Sequence, residues 1–255
     1  MSAALLDALN ARTGIVCAVG AGGKKTTLYA LAAAHPGRVG VTATVFMTSF
    51  SRRLGAHVLI TQAPDVPALL HAPEAAAARC VAYARPSEKS GRVAGIAPEE
   101  VGACHATGFD LTLVKADGAR MRAIKAPAPG EPVLPPAPDT VLCIVSAGAI
   151  GAPLDEHTAH RPERIAAVTG LEAGAPITAE AVGRLLAAED GAMQGIPAGA
   201  HAIAVINAVD DAAREHAARA AAQVALAANE RLERVVLTCH RGDRDPLVGT
   251  IERAS

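Results

Sequence analysis

The sequence predicts an α/β protein in which helices cover both faces of a mostly parallel sheet, giving three layers. Two observations lead to this fold class. Short apolar runs typical of buried strands alternate along the chain with segments of helical periodicity. Two of those runs also end in glycine, hydroxyl-bearing and charged residues, as strands do where ligands bind at the carboxyl edge of a sheet. With 255 residues the chain can bury a large core, and we predict a single α/β domain over residues 1–255.

The elements follow from local composition. The runs rich in Val, Ile, Leu and Thr predict strands, which are residues 15–19, 39–45, 58–61, 80–84, 111–117, 140–146, 202–206 and 235–238. Apolar residues at helical spacing predict helices, which are residues 3–11, 28–34, 66–71, 75–78, 98–104, 178–188 and 211–228. Residues 85–95 have the composition of a loop. Six prolines crowd into residues 126–138, which predicts an extended or turn-rich loop there.

Composition excludes several classes of protein. Aromatic residues make up 2% of the chain and its formal net charge is −1. Neither a base-stacking platform nor a basic face is indicated, so we expect no nucleic-acid partner. No apolar run has the length of a membrane span, so we expect no membrane partner.

The cysteines and the amino terminus indicate a compartment. Five cysteines are scattered along the chain and never form C-x-x-C, which argues for a reducing environment and against a disulfide scaffold. Residues 1–10 lack a basic segment followed by an apolar core, so no secretory signal is predicted. We therefore expect a soluble cytoplasmic protein.

The most informative stretch joins the first predicted strand to the first long helix. It contains three glycines and an alanine, followed by two lysines and two threonines, namely Gly20, Ala21, Gly22, Gly23, Lys24, Lys25, Thr26 and Thr27. Glycines let the backbone approach an anion closely, and the helix that follows points its free N–H groups and positive dipole end at the same place. This context predicts a phosphate-binding loop, with ATP or GTP as cofactor. A glycine turn with exposed lysines is the alternative.

The spacing leaves two registers open. The usual pattern is G-x-x-x-x-G-K-[ST], but Ala18 stands where its first glycine would be if Gly23 were its last. If Lys24 is the phosphate lysine, Lys25 displaces the expected hydroxyl and Thr26 serves one position late. If Lys25 is the phosphate lysine, Thr26 follows it correctly. We favour the second register because it keeps a hydroxyl beside the lysine.

Residues at other strand ends complete a candidate metal site. Asp117 follows the strand at 111–117 and precedes a glycine, which suits a carboxylate that orients Mg²⁺ opposite the phosphate loop. Thr44, near the end of the second strand, can face the metal or the last phosphate. We predict Thr26, Thr44 and Asp117 as the Mg²⁺ ligands. An Asp-Gly turn and a threonine favoured by β-propensity are the alternative interpretations.

Basic residues after Asp117 predict an anion-binding region. Arg120, Arg122 and Lys125 fall within six residues, and arginine suits two-point contacts with carboxylates and phosphates. We predict Arg120 as a catalytic residue together with Lys24, Lys25 and Asp117, and Arg122 and Lys125 as ligands of an anionic small-molecule substrate. A solvated loop is the alternative.

Two further pairs belong to the candidate site. His160 and Arg161 are predicted to contact substrate, because His157 and His160 lack a third firm metal ligand; an ordinary polar helix start competes with this interpretation. Asn207 and Asp210 form N-x-x-D after a strand and can read a purine edge, although the usual lysine after the asparagine is missing. An equally plausible alternative is that Asp210 caps the helix that follows.

Taken together, these motifs resemble the YqeC family. The resemblance rests on residues 20–27, 42–44, 115–120, 125–127, 160–163 and 207–210, in that order, and runs from about residue 14 to residue 210. Three departures are the doubled lysine, where the family commonly reads G-A-G-G-K-T-T, Phe46-Met47, where a lysine-methionine pair is usual, and Asn207, which lacks the lysine that usually follows it. Members are similar to P-loop NTPases, and their loop is similar to that of Mur-type amide ligases.

The resemblance implies a Rossmann-like, P-loop NTPase-like fold and a role in selenium-cofactor biosynthesis, accessory to selenium-dependent molybdenum hydroxylases. It implies phosphate binding at residues 20–27, metal-side chemistry at Asp117, and an anion or substrate role for Arg120, Lys125 and Arg161. A molybdenum hydroxylase is then an expected partner.

Three functions stay open at this point. The first is a Mg²⁺-dependent ATP- or GTP-binding enzyme that hydrolyses nucleotide or activates an acid. The second is a nucleotide-binding chaperone without catalysis. The third is an NAD(P)-binding oxidoreductase, because Gly20-Ala21-Gly22 also begins G-x-G-x-x-G; against it, Lys25 occupies the third glycine position and no acid for a ribose ends the second strand.

Overall fold

The computed structural model describes residues 3–242 and 244–253. The helices of this part of the chain are α1 (Ala3–Ala8), α2 (Lys24–Ala34), α3 (Val66–Leu70), α4 (Pro73–Ala77), α5 (Glu100–His105), α6 (Pro162–Thr169), α7 (Ala179–Ala187) and α8 (Ala212–Ala228). The strands are β1 (Gly14–Gly20), β2 (Val39–Ala43), β3 (Met47–Thr48), β4 (His57–Ile60), β5 (Cys80–Pro86), β6 (Arg92–Ala94), β7 (Leu111–Lys115), β8 (Ile124–Lys125), β9 (Thr140–Ser146), β10 (Ala159–His160), β11 (His201–Asn207), β12 (Leu232–Thr238) and β13 (Leu247–Glu252).

An 11-stranded sheet organises the fold. Its order is β13-β12-β11-β9-β1-β7-β2-β5-β6-β3, and β4 also pairs with β5. Strands β12, β11, β9, β1, β7, β2, β5 and β4 are parallel to one another, whereas β13, β6 and β3 join by antiparallel pairing. The short strands β8 and β10 form a separate parallel pair. The predicted fold class, a three-layer and mostly parallel α/β structure, is confirmed.

The two faces of the sheet carry separate apolar layers, because side chains alternate along a strand. In β1, Ile15, Cys17 and Val19 pack with helices α3, α5, α6, α7 and α8. Val16 and Ala18 point to the other face, where α1 and α2 pack. Helices on both faces explain why the central strands read as continuous apolar runs.

Most predicted elements are confirmed within a few residues, and the differences have local causes. Residues 85–95 were expected to be a loop, but β5 continues to Pro86 and β6 spans Arg92–Ala94, so the segment is a hairpin around a polar turn. The edge strand β13 lies beyond the predicted elements. The capping alternative for Asp210 is wrong: Asp211 caps α8 by accepting from the Arg214 N–H. Residues 126–138 hold no helix or strand, as predicted.

Because the parallel strands run in one direction, their carboxyl ends meet at one edge of the sheet. The end residues at the centre of this edge are Gly20, Lys115, Ser146, Asn207 and Thr238, from β1, β7, β9, β11 and β12. This edge positions the candidate site.

Candidate functional site

The glycine-rich turn leaves β1 and enters α2 directly. Gly20, Gly22 and Gly23 have positive φ values of 88°, 76° and 145°. Residues that carry a Cβ rarely adopt such values. A Cβ on Gly23 would also collide with the Asn207 amide. The turn therefore needs glycine at this position for two independent reasons.

The turn presents a row of free donors. None of the backbone N–H groups of residues 22–26 has a hydrogen-bond acceptor within the described residues. The first N–H groups of any helix lack intrahelical partners, and here the positive-φ glycines extend the row by two residues. Such a concave set of N–H groups, at the positive end of α2, suits an anion.

The neighbouring strands hold the turn in place. Asn207 Nδ2 donates to the Gly22 carbonyl at 2.8 Å, and Asn207 Oδ1 accepts from Thr238 Oγ1 at 3.0 Å. Thr27 Oγ1 lies 3.2 Å from His240 Nε2, so the first turn of α2 is tied to the end of β12. Burial lowers the pKa of His240. Asn207 thus links the turn to the end of β12, with one end of its amide bound to each.

Asp117 is the buried centre of the site and is 2% exposed. Its Oδ2 accepts from the Gly20 N–H at 2.8 Å and from Lys125 Nζ at 2.8 Å. Lys24 Nζ is 2.8 Å from Oδ1 as an ion pair, in a geometry that gives Oδ1 no directed hydrogen bond. Asp117 therefore ties the start of the turn to two lysines, and both of its oxygens face cations.

The charges continue outwards from Asp117. Lys125 Nζ also pairs with Glu131 Oε2 at 2.8 Å, and Glu131 receives both ends of the Arg161 guanidinium, at 2.9 and 3.1 Å. Burial alone would raise the pKa of Glu131, but the hydrogen bonds from Arg161 and Lys125 outweigh it and lower the pKa to about 2. A chain of alternating charges thus runs from Lys24 through Asp117, Lys125 and Glu131 to Arg161.

The two adjacent lysines point to different places. Lys24, 5% exposed, folds back across the turn, where its ammonium contacts the Gly20 carbonyl as well as Asp117. Burial lowers its pKa, and Asp117 opposes that effect. Lys25 points across a cleft, where its Nζ donates to Thr48 Oγ1 at 2.9 Å and to the Ser49 carbonyl at 3.0 Å.

That cleft, which we call the loop cleft, encloses about 490 Å³. Its lining consists of residues 23–26, 46–48, 92, 115 and 118–121. Lys115 reaches it from the end of β7 and donates to the Asp117 carbonyl. Burial, and then the nearby Lys24, lower the pKa of Lys115 to about 8. Exposed Phe46 and Met121 add apolar surface to the lining.

A second cavity of about 510 Å³, the arginine pocket, lies beside the loop cleft and shares Gly118 and Arg120 with it. Three arginines, one histidine and three glutamates contribute to its lining, namely Arg120, Arg122, Arg161, His160, Glu131, Glu156 and Glu163. Burial lowers the pKa of His160, and the nearby Arg161 adds to this. The structure thus brings together Arg120, Arg122, His160 and Arg161, which the sequence predicted as substrate or catalytic residues.

The predicted Mg²⁺ ligands do not form a common donor set. The Thr26 side chain is exposed in the loop cleft, Thr44 Oγ1 donates to the Val133 carbonyl at 2.5 Å, and Asp117 is enclosed by lysines. Within the described residues no group of three or more His, Cys, Asp or Glu side chains could hold a metal. In nucleotide sites Mg²⁺ is usually held by one or two carboxylates together with water and substrate phosphates. The one carboxylate of this set, Asp117, already faces Lys24 and Lys125, so the set as arranged does not fit this ion.

Asp210 lies apart from the turn. Its Oδ2 pairs with Arg214 at 2.7 Å and with Arg241 at 2.8 Å, and its Oδ1 accepts from Cys239. The purine-reading hypothesis for Asn207 and Asp210 stays a prediction, with Asn207 bound to the turn and Asp210 bound to arginines.

Sequence reasoning missed three charged residues that the structure places at the site, namely Lys115, Glu131 and Arg92, the last of which reaches the loop cleft from β6. The sequence contains a signal for Lys115, namely the rarity of lysine. The chain contains five lysines, and four of them lie at this edge of the sheet, namely Lys24, Lys25, Lys115 and Lys125. Glu131 carries no such signal, because it stands in a proline-rich loop and meets Arg161, 30 positions further on, only in the folded chain.

The fold and the site define a three-layer α/β protein with a glycine-rich, N–H-presenting turn at the carboxyl edge of its sheet. Comparison with known proteins gives the particular family. The family model described as YqeC protein matches residues 16–163, and the chain belongs to this family. It is 31% identical over 166 residues to the "Uncharacterized protein YqeC" of Escherichia coli (strain K12), and the alignment covers 63% of this chain and 62% of that protein. No helix in the described part of the chain has the length and apolarity to cross a bilayer.

Proposed function

We propose that this protein is a nucleotide-binding enzyme whose turn at residues 20–27 binds the phosphates of ATP or GTP. The observation that carries the proposal is the row of free N–H groups at residues 22–26, which opens onto a cleft lined by cations. Phosphate oxygens accept hydrogen bonds from such a row, and ammonium and guanidinium groups balance their charge. Catalysis would then consist of positioning and charge stabilisation.

Lys24 is the lysine of this loop in our proposal. It begins α2, immediately after the capping Gly23, and its ammonium contacts the carbonyl at the opposite end of the same turn. Asp117 acts as a positioning residue, since it holds Lys24 and the Gly20 N–H together. The sequence favoured the register in which Lys25 is the phosphate lysine, but the Lys25 ammonium donates to Thr48 and Ser49 on the opposite side of the cleft.

The arginine pocket is the proposed site of an anionic second substrate. Arg120 lines both cavities, so a group bound there lies next to the outer phosphate of a nucleotide in the loop cleft. Proximity of this kind suits phosphoryl transfer to, or activation of, a carboxylate or phosphate. The family resemblance adds a role in maturing the cofactor of a selenium-dependent molybdenum hydroxylase.

Calorimetric titration with ATP, GTP and NAD⁺ tests the nucleotide proposal. The wild type is compared with Lys24→Ala and with Lys89→Ala, which removes the one lysine that neither lines the loop cleft nor pairs with Asp117 in the described part of the chain. We expect a triphosphate to bind, and its affinity to fall about tenfold or more in Lys24→Ala because a charged hydrogen bond is lost. Lys89→Ala should bind as the wild type does. Binding of NAD⁺ alone, or of no nucleotide, would refute the proposal.

A phosphate-release assay separates the enzyme from a nucleotide-binding chaperone. The nucleotide that binds is incubated with the protein, with and without a molybdenum hydroxylase. Turnover that Arg120→Ala reduces, while nucleotide still binds, supports catalysis. Binding without turnover in either mixture identifies the chaperone.

A further inference from the structure

The loop cleft is lined by an unusually one-sided set of charges. Five cationic side chains contribute to its lining, namely Lys24, Lys25, Arg92, Lys115 and Arg120, and no acidic residue does so in the described part of the chain. The arginine pocket next to it balances three arginines with three glutamates. The excess of positive charge therefore belongs to the cleft that the free N–H groups face.

Lysine usage points to the same place. Of the 24 basic residues in the chain only five are lysines, and three of those line the loop cleft while a fourth, Lys125, holds Asp117 from behind. Lysine is a compact point charge with three donors and suits phosphate oxygens approached from several directions. Lys115 and Arg92 have no part in the phosphate-loop pattern, yet both reach this cleft.

Lys25 stands where a metal-binding hydroxyl would be expected. In the usual loop the residue after the phosphate lysine is Ser or Thr, whose hydroxyl binds the Mg²⁺ that bridges the outer phosphates. Here that residue is a second lysine, whose ammonium is fixed across the cleft by Thr48 and Ser49. The carboxylate that could assist a metal, Asp117, is enclosed by Lys24 and Lys125. A divalent cation would enter a site that repels it.

We propose that Lys25, Lys115 and Arg92, and not a divalent metal ion, neutralise the outer phosphates of a triphosphate bound in the loop cleft. The ligand class is a metal-free polyphosphate, either inorganic triphosphate or the chain of a nucleoside triphosphate. This inference rests on the proposed function, since it concerns the same turn. It assigns to three side chains the charge balance that Mg²⁺ supplies in the usual loop.

The decisive measurement is calorimetric titration of the wild-type protein with inorganic triphosphate and with ATP, each in EDTA and in excess Mg²⁺. We expect the affinity in EDTA to equal or exceed the affinity in Mg²⁺, because the free polyanion is the better partner for the lysines. The ATP arm shows whether the nucleoside adds affinity to the triphosphate. This comparison needs no variant and so does not depend on any substitution folding.

Two substitutions sharpen the result. Lys25→Thr replaces the ammonium by a hydroxyl, and we expect the affinity in EDTA to fall about tenfold or more, with part of the loss recovered in Mg²⁺. Lys115→Met keeps the length of the side chain and should weaken binding in EDTA to a similar extent. Lys89→Thr is the matched control, with affinities unchanged in both media. Circular dichroism confirms that each variant is folded.

The outcomes distinguish this inference from the proposed function. Triphosphate binding that requires Mg²⁺ in the wild type would overturn the inference and leave the nucleotide proposal standing. Equal affinities of wild type, Lys25→Thr and Lys115→Met in EDTA would also overturn it, because the lysines would then contribute nothing. Absence of triphosphate binding in both media would refute the inference and the proposed function together.

Discussion

At the scale of single residues, the chain of charges from Lys24 to Arg161 is the main feature of the site. Buried ions are costly unless each one faces a partner of opposite sign, and Asp117 and Glu131 meet this requirement for three cations. Removing a member leaves its neighbours uncompensated. The chain also joins the phosphate-loop turn to the arginine pocket, so its integrity concerns both proposed ligands.

Glu131 gives this chain a predictable dependence on pH. Its pKa is lowered from 4.5 to about 2 in the folded protein. A carboxylate whose pKa is lower in the folded state than in the unfolded state stabilises the fold. This stabilisation is fully present above the pKa of the unfolded state and is lost as the pH falls towards the pKa of the folded state. We expect Glu131→Gln to be less stable than the wild type at pH 7, and the gap to close between about pH 4.5 and pH 2.

Urea unfolding of wild type and Glu131→Gln at several pH values measures this gap. The double variant Glu131→Gln with Arg161→Gln provides the control. Arg161 has lost its main partner once Glu131 is replaced, so Arg161→Gln should lower the free energy of unfolding less in that background than in the wild type. A gap that stays constant from pH 7 to pH 2.5 would contradict the assignment.

The sequence was sufficient for some of these residues and not for others. The position of Asp117 was predicted because a strand ending in aspartate is a local pattern, and the fold places it beside the turn. Its catalytic role stays a prediction. The directions of the Lys24 and Lys25 side chains were not predicted, because they depend on where α2 begins. An error of one residue in the start of the helix turns each side chain by about 100°. Glu131 depends on contacts across 30 residues, which no local pattern records.

At the scale of elements, the turn between β1 and α2 couples backbone conformation to the proposed chemistry. Gly23 has a φ of 145°, and its missing side chain leaves room for the Asn207 amide. We expect Gly23→Ala to lower the free energy of unfolding by about 1–3 kcal/mol from backbone strain. Triphosphate affinity should fall as well, because the N–H row is displaced.

Gly102→Ala is the matched control for this substitution. Gly102 lies on the exposed side of α5 with open space around it, and alanine favours a helix over glycine by about 0.5–1 kcal/mol. The control should therefore be slightly more stable than the wild type, and its triphosphate affinity should be unchanged. A Gly23→Ala protein as stable as the wild type in urea would show that the turn tolerates a side chain.

The elements also show which parts of a fold are encoded locally. The parallel strands were predicted because they are buried on both faces and so appear in the sequence as continuous apolar runs. Such a run can be recognised without knowing which strands lie beside it. Strands β6 and β13 were missed, because each is short or partly exposed and is defined by antiparallel pairing with a partner already in the sheet. Short or partly exposed strands of this kind take their conformation from the sheet more than from their own composition.

At the scale of the whole molecule, the sheet order places the earliest and latest strands on opposite sides of β1. Strands β2, β5 and β4 lie on one side, and β9, β11 and β12 on the other. The apolar layer beneath α1 and α2 contains residues from both sides, including Val41 and Ile203. Damage to one half of the chain should therefore be felt in the other, as the predicted single domain requires.

The two tyrosines of the chain make this testable. Tyr29 lies in α2 and Tyr83 in β5, so in this protein without tryptophan tyrosine fluorescence reports on the amino-terminal half, while far-ultraviolet circular dichroism reports on all helices. Ile203 is fully buried in β11, in the carboxyl-terminal half. We expect Ile203→Ala to lower the free energy of unfolding by about 2–5 kcal/mol, and to shift the fluorescence and dichroism transitions in urea to the same lower midpoint.

Val58→Ala, at a half-exposed position of the edge strand β4, is the control and should change the free energy of unfolding by only about 0.5 kcal/mol. If Ile203→Ala moved the dichroism transition and left the tyrosine transition where it was, the two halves would unfold independently. The prediction of one domain would then be wrong, and the turn at the carboxyl end of β1 would lie next to a boundary between two units. Coincident shifts would mean that the turn depends on the whole sheet for its stability.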